Sequence, residues 1–296
     1  MSSAAIPYGA AGVVVTTEKG KERHAVRDTI RNLNDTYEEL FPSDEAAAGR
    51  AGDEKKSSSD VSDLLAAELS ELKEEAKGGG SEAAQRFKCL DLDFKACMFI
   101  TMNWEAATKC PPSELVHKML VKTRDEGQPR SRFALRIVPV DTVCFAGIEE
   151  IKKAMAPLVE KHFGGVSGGE GGAAKEGEKS GGEAAGKEGK TFAIMFASRA
   201  NNSLKRKDVI EAVASLVPAP HKVNLTTPDL TIMCEVIKGT CCVSVVRDYF
   251  PLMKYNQRLL SMTDEERDAE KGRTENFPKG TPEIKPVVEE KDAGGE

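Results

Sequence analysis

The stretch TFAIMFASRANNSLKRKDVIEAVASLV, residues 191–217, sets the pattern from which the C-terminal half of the fold is inferred. Its first seven residues are apolar with strand character, and Val209, Ile210 and Val213 recur at helical spacing further on. Between these segments, Ser198 to Asp208 contains four cations and two adjacent asparagines. The stretch therefore predicts a strand at 191–197, a basic polar turn and a helix at 205–217.

The elements around this unit extend the pattern. Two apolar strands are predicted at Leu230–Ile237 and Thr240–Arg247, joined by a tight turn at Lys238-Gly239. Upstream, apolar residues at helical spacing predict a helix that Pro157 should kink or divide. Residues 164–190 contain eleven glycines, and such a composition predicts a flexible loop that buries too little surface to order.

The N-terminal half alternates strand and helix in the same way. The predicted elements, in chain order, are a strand at 12–17, a helix at 22–41, a strand at 95–102, a short helix with Ser113 as its N-cap, and a strand within SRFALRIVP, 131–139. A disordered insertion is predicted at 42–60 and a further helix from Val61 to Leu72. This order predicts an α+β fold of the split βαβ type, with two helices on one face of a small sheet.

Charge is unevenly distributed along the chain. The net charge is −6, but residues 42–86 and 261–296 each hold eleven acids against six bases. Residues 191–260 instead hold nine bases and five acids. Although the net charge of the whole chain is negative, its folded segments are basic, and this permits binding of a polyanionic partner.

The seven cysteines are odd in number, lie mostly in apolar runs and form no C-x-x-C pair. They indicate buried free thiols in a reducing compartment, so we expect an intracellular protein of the nucleus, nucleolus or cytosol. Cys241 and Cys242 are neighbours on a strand and should face opposite sides of it. No apolar run approaches the length of a spanning helix, so no membrane association is expected.

No catalytic, cofactor or metal site emerges from the residues. The glycine motifs SGGEG and GEGGAA lie in low-complexity sequence without the strand and helix that a phosphate loop requires. The four histidines form no ligand spacing with the cysteines. We therefore predict no catalytic residue, no cofactor and no metal.

The basic turn is the strongest candidate for a binding site. Cations in a first helical turn oppose the helix dipole, which favours acids there, whereas free backbone amides and nearby cations together suit a phosphate. The candidate RNA-binding residues are Arg199, Asn201, Asn202, Lys205, Arg206 and Lys207. The alternative is a solvated basic turn in which the asparagines form the turn.

A second basic face supports the same hypothesis. Arg132 and Arg136 share one side of the strand within SRFALRIVP, and Arg247 and Lys254 follow on the last strand and beyond it. Aromatic residues make up only 5% of the chain, so recognition of folded RNA by shape and backbone fits better than base stacking. For each residue the alternative is an exposed charge on a half-solvated sheet.

The chain from Arg132 onward resembles the THUMP domain with its preceding ferredoxin-like domain. The resemblance runs from RFALRIVPVDTVC through TFAIMFASRANN to KVNLTTPDLTIMCEVIKGTCCVSVV, and Leu225, Pro228, Asp229 and Glu235 match the family's end pattern. The segments SRANN, CCVSVVRDY and KYN make it most similar to the eukaryotic THUMP-only adaptors of tRNA acetylation. The implied domains are ferredoxin-like at 9–143 with an insertion at about 42–86, THUMP at 144–260 with a glycine-rich loop at 164–190, and a disordered acidic tail at 261–296.

The resemblance implies a function for the whole chain. THUMP modules bind tRNA and guide a catalytic domain, and the short segment after the last strand leads us to expect no such domain here. We therefore expect a non-enzymatic adaptor that presents serine and leucine tRNAs to a tRNA cytidine acetyltransferase, which forms 4-acetylcytidine in the D-arm. The alternatives are a stand-alone RNA-modifying enzyme and a protein-interaction scaffold that binds no RNA.

Overall fold

A computed structural model describes residues 5–42, 86–90, 92, 95–164 and 189–267. The predicted insertion with its helix at 61–72, almost all of the glycine-rich loop and most of the acidic tail lie outside these residues. The described fold consists of two sheets, one of four strands and one of five, and helices cover each of them.

The first sheet contains four antiparallel strands in the order β2-β3-β1-β4. Their bounds are Ala11–Thr17 for β1, Phe87–Leu90 for β2, Cys97–Met102 for β3 and Ala134–Val140 for β4. This order, with helices after β1 and β3, is the ferredoxin-like arrangement that the sequence predicted. Strand β2 was not predicted, because FKCL offers only four residues next to a low-complexity segment.

Two long helices cover this sheet. Helix α1 spans Glu22–Leu40, helix α2 spans Trp104–Lys109, and helix α3 spans Pro112–Glu126. The prediction that Ser113 caps α3 is wrong: Pro111 is the N-cap and Pro112 the first helical residue, a position that suits proline because its missing N–H would be unpaired anyway. The Ser113 backbone N–H instead donates to Asp141 Oδ1 at 3.1 Å, which ties α3 to the end of β4.

The second sheet has the order β5-β9-β8-β6-β7. Its strands are Thr142–Phe145 (β5), Thr191–Arg199 (β6), Lys222–Val223 (β7), Leu230–Ile237 (β8) and Thr240–Arg247 (β9). Strands β6, β7 and β8 are parallel, whereas β8, β9 and β5 are antiparallel. The bounds of β8 and β9 and the turn at Lys238-Gly239 agree with the sequence prediction.

Helices α4, Ile148–Phe163, and α5, Arg206–Ala214, pack on one face of the second sheet. Of the predicted kink or division at Pro157, division is wrong, because α4 continues through this residue as one helix. Pro157 lies on the exposed side, so the carbonyl oxygen that loses its partner there can bind water. Helix α5 is shorter at both ends than predicted.

Two hydrophobic cores result, and β9 belongs to both. Helices α4 and α5 build one core with one face of the second sheet. The other face, through Met233, Ile237 and Val246, joins the core of the first sheet. Cys241 lies in the core formed with α4 and α5, and Cys242 lies in the core shared with the first sheet. This confirms that the two side chains face opposite ways.

The described chain ends with two short segments after β9. A 3₁₀ turn at Met253–Tyr255 leads into α6, Gln257–Leu260, and residues up to Ser261 form one compact unit. Residues 262–267 are the described part of a second unit, which opens with a helical turn where Thr263 and Glu266 cap each other. Among the residues described, no helix has both the length and the apolar character needed to cross a membrane.

Candidate nucleic-acid interface

The N-terminus of α5 carries three consecutive exposed cations. Lys205 is the N-cap, and no side chain caps the helix, so the amides of its first turn stay open to solvent. Arg206 and Lys207 occupy that first turn, followed by Asp208 as its one acid. The helix therefore presents free N–H groups and positive charge together, which is the combination that binds phosphate.

The contacts of these three cations leave much of their charge available. The Arg206 guanidinium donates to the Phe196 carbonyl oxygen at 3.1 Å and so lies against the end of β6. Lys207 is 3.6 Å from Glu211, but its side chain is 82% exposed, and such a pair is weak. Lys205 has no acidic partner within 4.0 Å in the part of the chain that the structure describes.

The two neighbouring asparagines have different roles. The Asn201 Oδ1 accepts hydrogen bonds from the backbone N–H groups of Ser203 and Leu204, at 3.0 and 3.2 Å, and its amide donates to the Lys238 carbonyl oxygen at 2.7 Å. Asn201 is therefore a turn-forming residue whose amide is already occupied. Asn202 is exposed and makes no side-chain hydrogen bond to the described residues, so it remains available to a ligand.

Arg199 ends β6 directly beside the β8–β9 turn. Its carbonyl oxygen accepts the Lys238 N–H at 2.9 Å, and its Nε is buried without a hydrogen-bond partner among the residues described. Burial raises the pKa of the Cys97 thiol in the first sheet to about 11, while the positive charge of Arg199 acts to lower it.

We refer to Arg199, Asn201, Asn202, Lys205, Arg206 and Lys207 as the α5 cluster. The structure brings all six together where β6 ends and α5 begins. Sequence reasoning missed Lys238, which shares this edge through its bond to Arg199 and whose Nζ donates to the Leu92 carbonyl oxygen at 3.0 Å. Its place in the predicted two-residue turn between the antiparallel strands β8 and β9 was the available signal.

Three of the other predicted residues form a separate group, the Tyr255 cluster: Arg136, Arg247 and Lys254. The Tyr255 hydroxyl donates to the Arg247 carbonyl oxygen at 2.9 Å, and the Arg136 guanidinium donates to the Lys254 carbonyl oxygen and the Tyr249 hydroxyl, both at 3.1 Å. Burial raises the pKa of Tyr249, against the lowering effect of Arg136. Here the Arg136 guanidinium and the Lys254 backbone hold the segment after β9 in place.

Arg136 is only partly exposed, and its guanidinium is already engaged by the Lys254 carbonyl oxygen and the Tyr249 hydroxyl. Strand β4 begins at Ala134, so Arg132 precedes it, and the residues after β9 cover the side chain of Arg136. Arg132 itself is exposed. The sequence shows a charge on one side of a strand but cannot show that a later segment will pack over that side.

The two clusters lie at opposite ends of the second sheet. Arg199 pairs with Ile237 and Arg247 with Leu230, so the two arginines are seven strand residues apart, roughly 23 Å. Arg247 also forms an ion pair with Glu114. The predicted site residues thus do not form one contiguous surface.

Two residues of the family end pattern, Asp229 and Glu235, lie directly before β8 and within it. Asp229 Oδ2 accepts from both the backbone N–H and the hydroxyl of Thr191, each at 2.7 Å, and these bonds lower the pKa of the Asp229 carboxyl. Asp229 therefore fixes the start of β6 beside β8. Glu235 is buried on the face of β8 that looks toward the first sheet.

Metal-binding groups do not gather in this molecule as far as it is described. Within residues 5–42, 86–90, 92, 95–164 and 189–267, no group of three or more His, Cys, Asp or Glu side chains is placed to hold a metal ion. The cysteines there are free thiols, six of them buried and Cys89 half-buried.

Comparison with known families identifies the second sheet and its helices. Residues 145–246 match the model of the THUMP domain family. The α5 cluster, strands β6 to β8 and all of β9 except Arg247 fall within the matched residues, whereas β5 contributes only Phe145.

Similarity to individual proteins extends beyond that domain. The chain is 28% identical over 258 residues to THUMP domain-containing protein 1 of Mus musculus, covering 84% of this chain and 63% of that protein. It is 26% identical over 258 residues to THUMP domain-containing protein 1 of Homo sapiens, with the same coverage of 84% and 63%. The chain thus spans less than two thirds of the length of these relatives. A solution structure of the THUMP domain of THUMP domain-containing protein 1 is 29% identical, covers 34% of this chain and 84% of that one, and has a TM-score of 0.24.

Proposed function

We propose that this chain is a non-catalytic tRNA-binding adaptor. In this proposal the α5 cluster holds the phosphate backbone of tRNA, and the bound serine or leucine tRNA is presented to a cytidine acetyltransferase that forms 4-acetylcytidine in the D-arm. The observation that carries the proposal is the exposed, uncapped and basic N-terminus of α5 within the THUMP domain. The resemblance of SRANN, CCVSVVRDY and KYN to the acetylation adaptors supports the choice of partner.

The chemistry of the cluster favours backbone contacts. Lysine and arginine side chains and open helix amides bind phosphate oxygens, which positions a nucleic acid without selecting its sequence. Asn202 adds one free side-chain amide that can bond to a base edge or to the backbone. Selection of particular tRNAs would then come from the shape of the folded RNA.

Binding of tRNA is tested first with charge reversal in the cluster. The variant K205E/K207E should bind tRNA on the order of tenfold or more weakly than the natural chain, because two exposed phosphate contacts become repulsive. The matched control K118E/K153E changes the charge equally at exposed positions of α3 and α4. Equal losses in the two variants would remove the α5 cluster from the interface, and a natural chain that binds no tRNA would favour the scaffold.

The adaptor role is tested with the partner present. Purified acetyltransferase, tRNA and an acetyl donor should give 4-acetylcytidine efficiently only when this chain is added, and K205E/K207E should reduce the yield in proportion to its weaker binding. Modification of tRNA by this chain alone, with an acetyl, methyl or sulfur donor, would contradict the adaptor proposal and favour a stand-alone enzyme.

A further inference from the structure

Helix α1 carries a row of cations that the α5 cluster does not include. Arg23, Arg27 and Arg31 recur every four residues and are exposed, so they follow one side of the helix over about 12 Å. Together with three further exposed cations they form what we call the α1 surface, which consists of Lys19, Lys21, Arg23, Arg27, Arg31 and Arg132.

The cations of the α1 surface differ from those of the neighbouring helix in their partners. Within the residues that the structure describes, none of the six has an acidic group within 4.0 Å. On α3 and its flank, by contrast, Lys122 pairs with Glu39 and Arg130 with Glu126. The cations of the α1 surface therefore form no close ion pair within the described fold, where Lys21 makes a cation–π contact with Phe133.

Three of the carboxylates next to the α1 surface are engaged elsewhere, whereas Asp35, four residues after Arg31, is exposed at the end of the row. Glu18 accepts from Arg258 at 2.7 Å, Glu22 accepts the Ala96 N–H at 3.1 Å, and Asp28 accepts the Ser131 hydroxyl at 2.9 Å. Each of these contacts turns an acid toward the protein and leaves the adjacent cations unneutralised. Such an arrangement concentrates positive potential on one side of the helix.

The α1 surface begins at the same edge of the molecule as the α5 cluster. The Lys238 N–H donates to the Arg199 carbonyl oxygen, and the Lys238 Nζ donates to the carbonyl oxygen of Leu92, between β2 and β3. Ala96, the residue before β3, donates to Glu22, the first residue of α1. At the same edge, Lys21 Nζ lies 5.7 Å from the ring of Phe133, next to Arg132. The α5 cluster and the first turn of α1 therefore both adjoin the part of the chain that leads into β3.

We propose that the α1 surface is a second RNA-contact surface, which binds the phosphates of a double-stranded stem extending from the α5 cluster. The inference rests on the proposed function and adds a duplex to the substrate. A straight row of guanidinium groups on a rigid helix suits a regular backbone, since arginine pairs with phosphate through two parallel hydrogen bonds. The only aromatic side chain in contact with the surface cations, Phe133, is half-buried among the described residues, so the surface lacks a platform for stacking single-stranded bases.

The test removes the three helix charges without disturbing the helix. The variant R23Q/R27Q/R31Q keeps residues of similar helix propensity at exposed positions, and its matched control is K109Q/K118Q/K153Q. In a series of KCl concentrations, the α1 variant should bind tRNA about tenfold more weakly at low salt than the control does. The slope of log affinity against log salt should fall in magnitude by roughly 2.7, because three phosphate contacts with a duplex are lost at about 0.9 each.

A pair of model RNAs checks that the ligand is a duplex. The α1 variant should lose affinity for an RNA hairpin stem and lose much less for a single-stranded oligonucleotide of the same length. Equal tRNA affinity and salt slope in variant and control would overturn this inference, as would equal losses on both model RNAs. If the natural chain still binds tRNA and K205E/K207E does not, that result would leave the proposed function standing; a natural chain that binds no tRNA would remove both.

Discussion

The α5 cluster and the Tyr255 cluster contain the same kinds of residue but use them differently. At the Tyr255 cluster, arginine and backbone groups are engaged with buried tyrosines and with an acid, so they hold the segment after β9 against both sheets. At the α5 cluster, the lysines and Asn202 face solvent beside unpaired helix amides. The availability of a cation to a ligand thus depends on whether the fold already supplies its partner.

The largest expected effect is a loss of protein stability when Tyr255 of the Tyr255 cluster is replaced. Its side chain is fully buried, so Tyr255→Ala should lower the free energy of unfolding by about 3–5 kcal/mol. Tyr255→Phe keeps the ring and should cost about 1 kcal/mol for the lost hydroxyl bond to Arg247. Denaturant unfolding of the two variants measures both values, and similar stabilities would show that Tyr255 does not anchor the cluster.

A smaller effect is expected at Arg136. The change Arg136→Gln removes the guanidinium from the buried Tyr249 hydroxyl and should destabilise the protein by about 1–3 kcal/mol. In conditions where the variant is folded, its tRNA affinity should equal that of the natural chain. A stable variant with weakened tRNA binding would instead return Arg136 to the RNA surface.

The smallest effect separates two adjacent residues of the α5 cluster. Asn201→Ala should lower the free energy of unfolding by about 1 kcal/mol, because it removes bonds to the turn and to Lys238. Asn202→Ala should leave stability within roughly 0.5 kcal/mol of the natural value, as is usual for an exposed side chain. Thermal unfolding and tRNA titration of both variants decide whether only Asn202 contributes a ligand contact.

The sequence predicted most of the fold because its elements are locally encoded. Strands β8 and β9 have strong apolar patterns and a two-residue turn, and both match the structure residue by residue. The ferredoxin-like order followed from the alternation of strand and helix. Strand β2 escaped because its four residues carry too little pattern beside low-complexity sequence.

The candidate site was harder to predict because partners depend on tertiary contacts. Positions 201 and 202 carry the same residue type, so the sequence does not distinguish them. The fold shows that the amide of Asn201 donates to the Lys238 carbonyl oxygen. Likewise, the charge of Arg136 gave no sign that residues after β9 would cover it. The row at Arg23, Arg27 and Arg31 was visible as a four-residue repeat, but its lack of acidic partners is a structural observation.

The adjacent thiols of Cys241 and Cys242 have a further use. Because each lies against a different hydrophobic layer, alkylation of one reports the opening of the helical side of the second sheet, and alkylation of the other reports its separation from the first sheet. Both are buried in the folded state, so neither reacts until its own side becomes accessible. A single dipeptide thus contains two independent chemical reporters of how this protein comes apart.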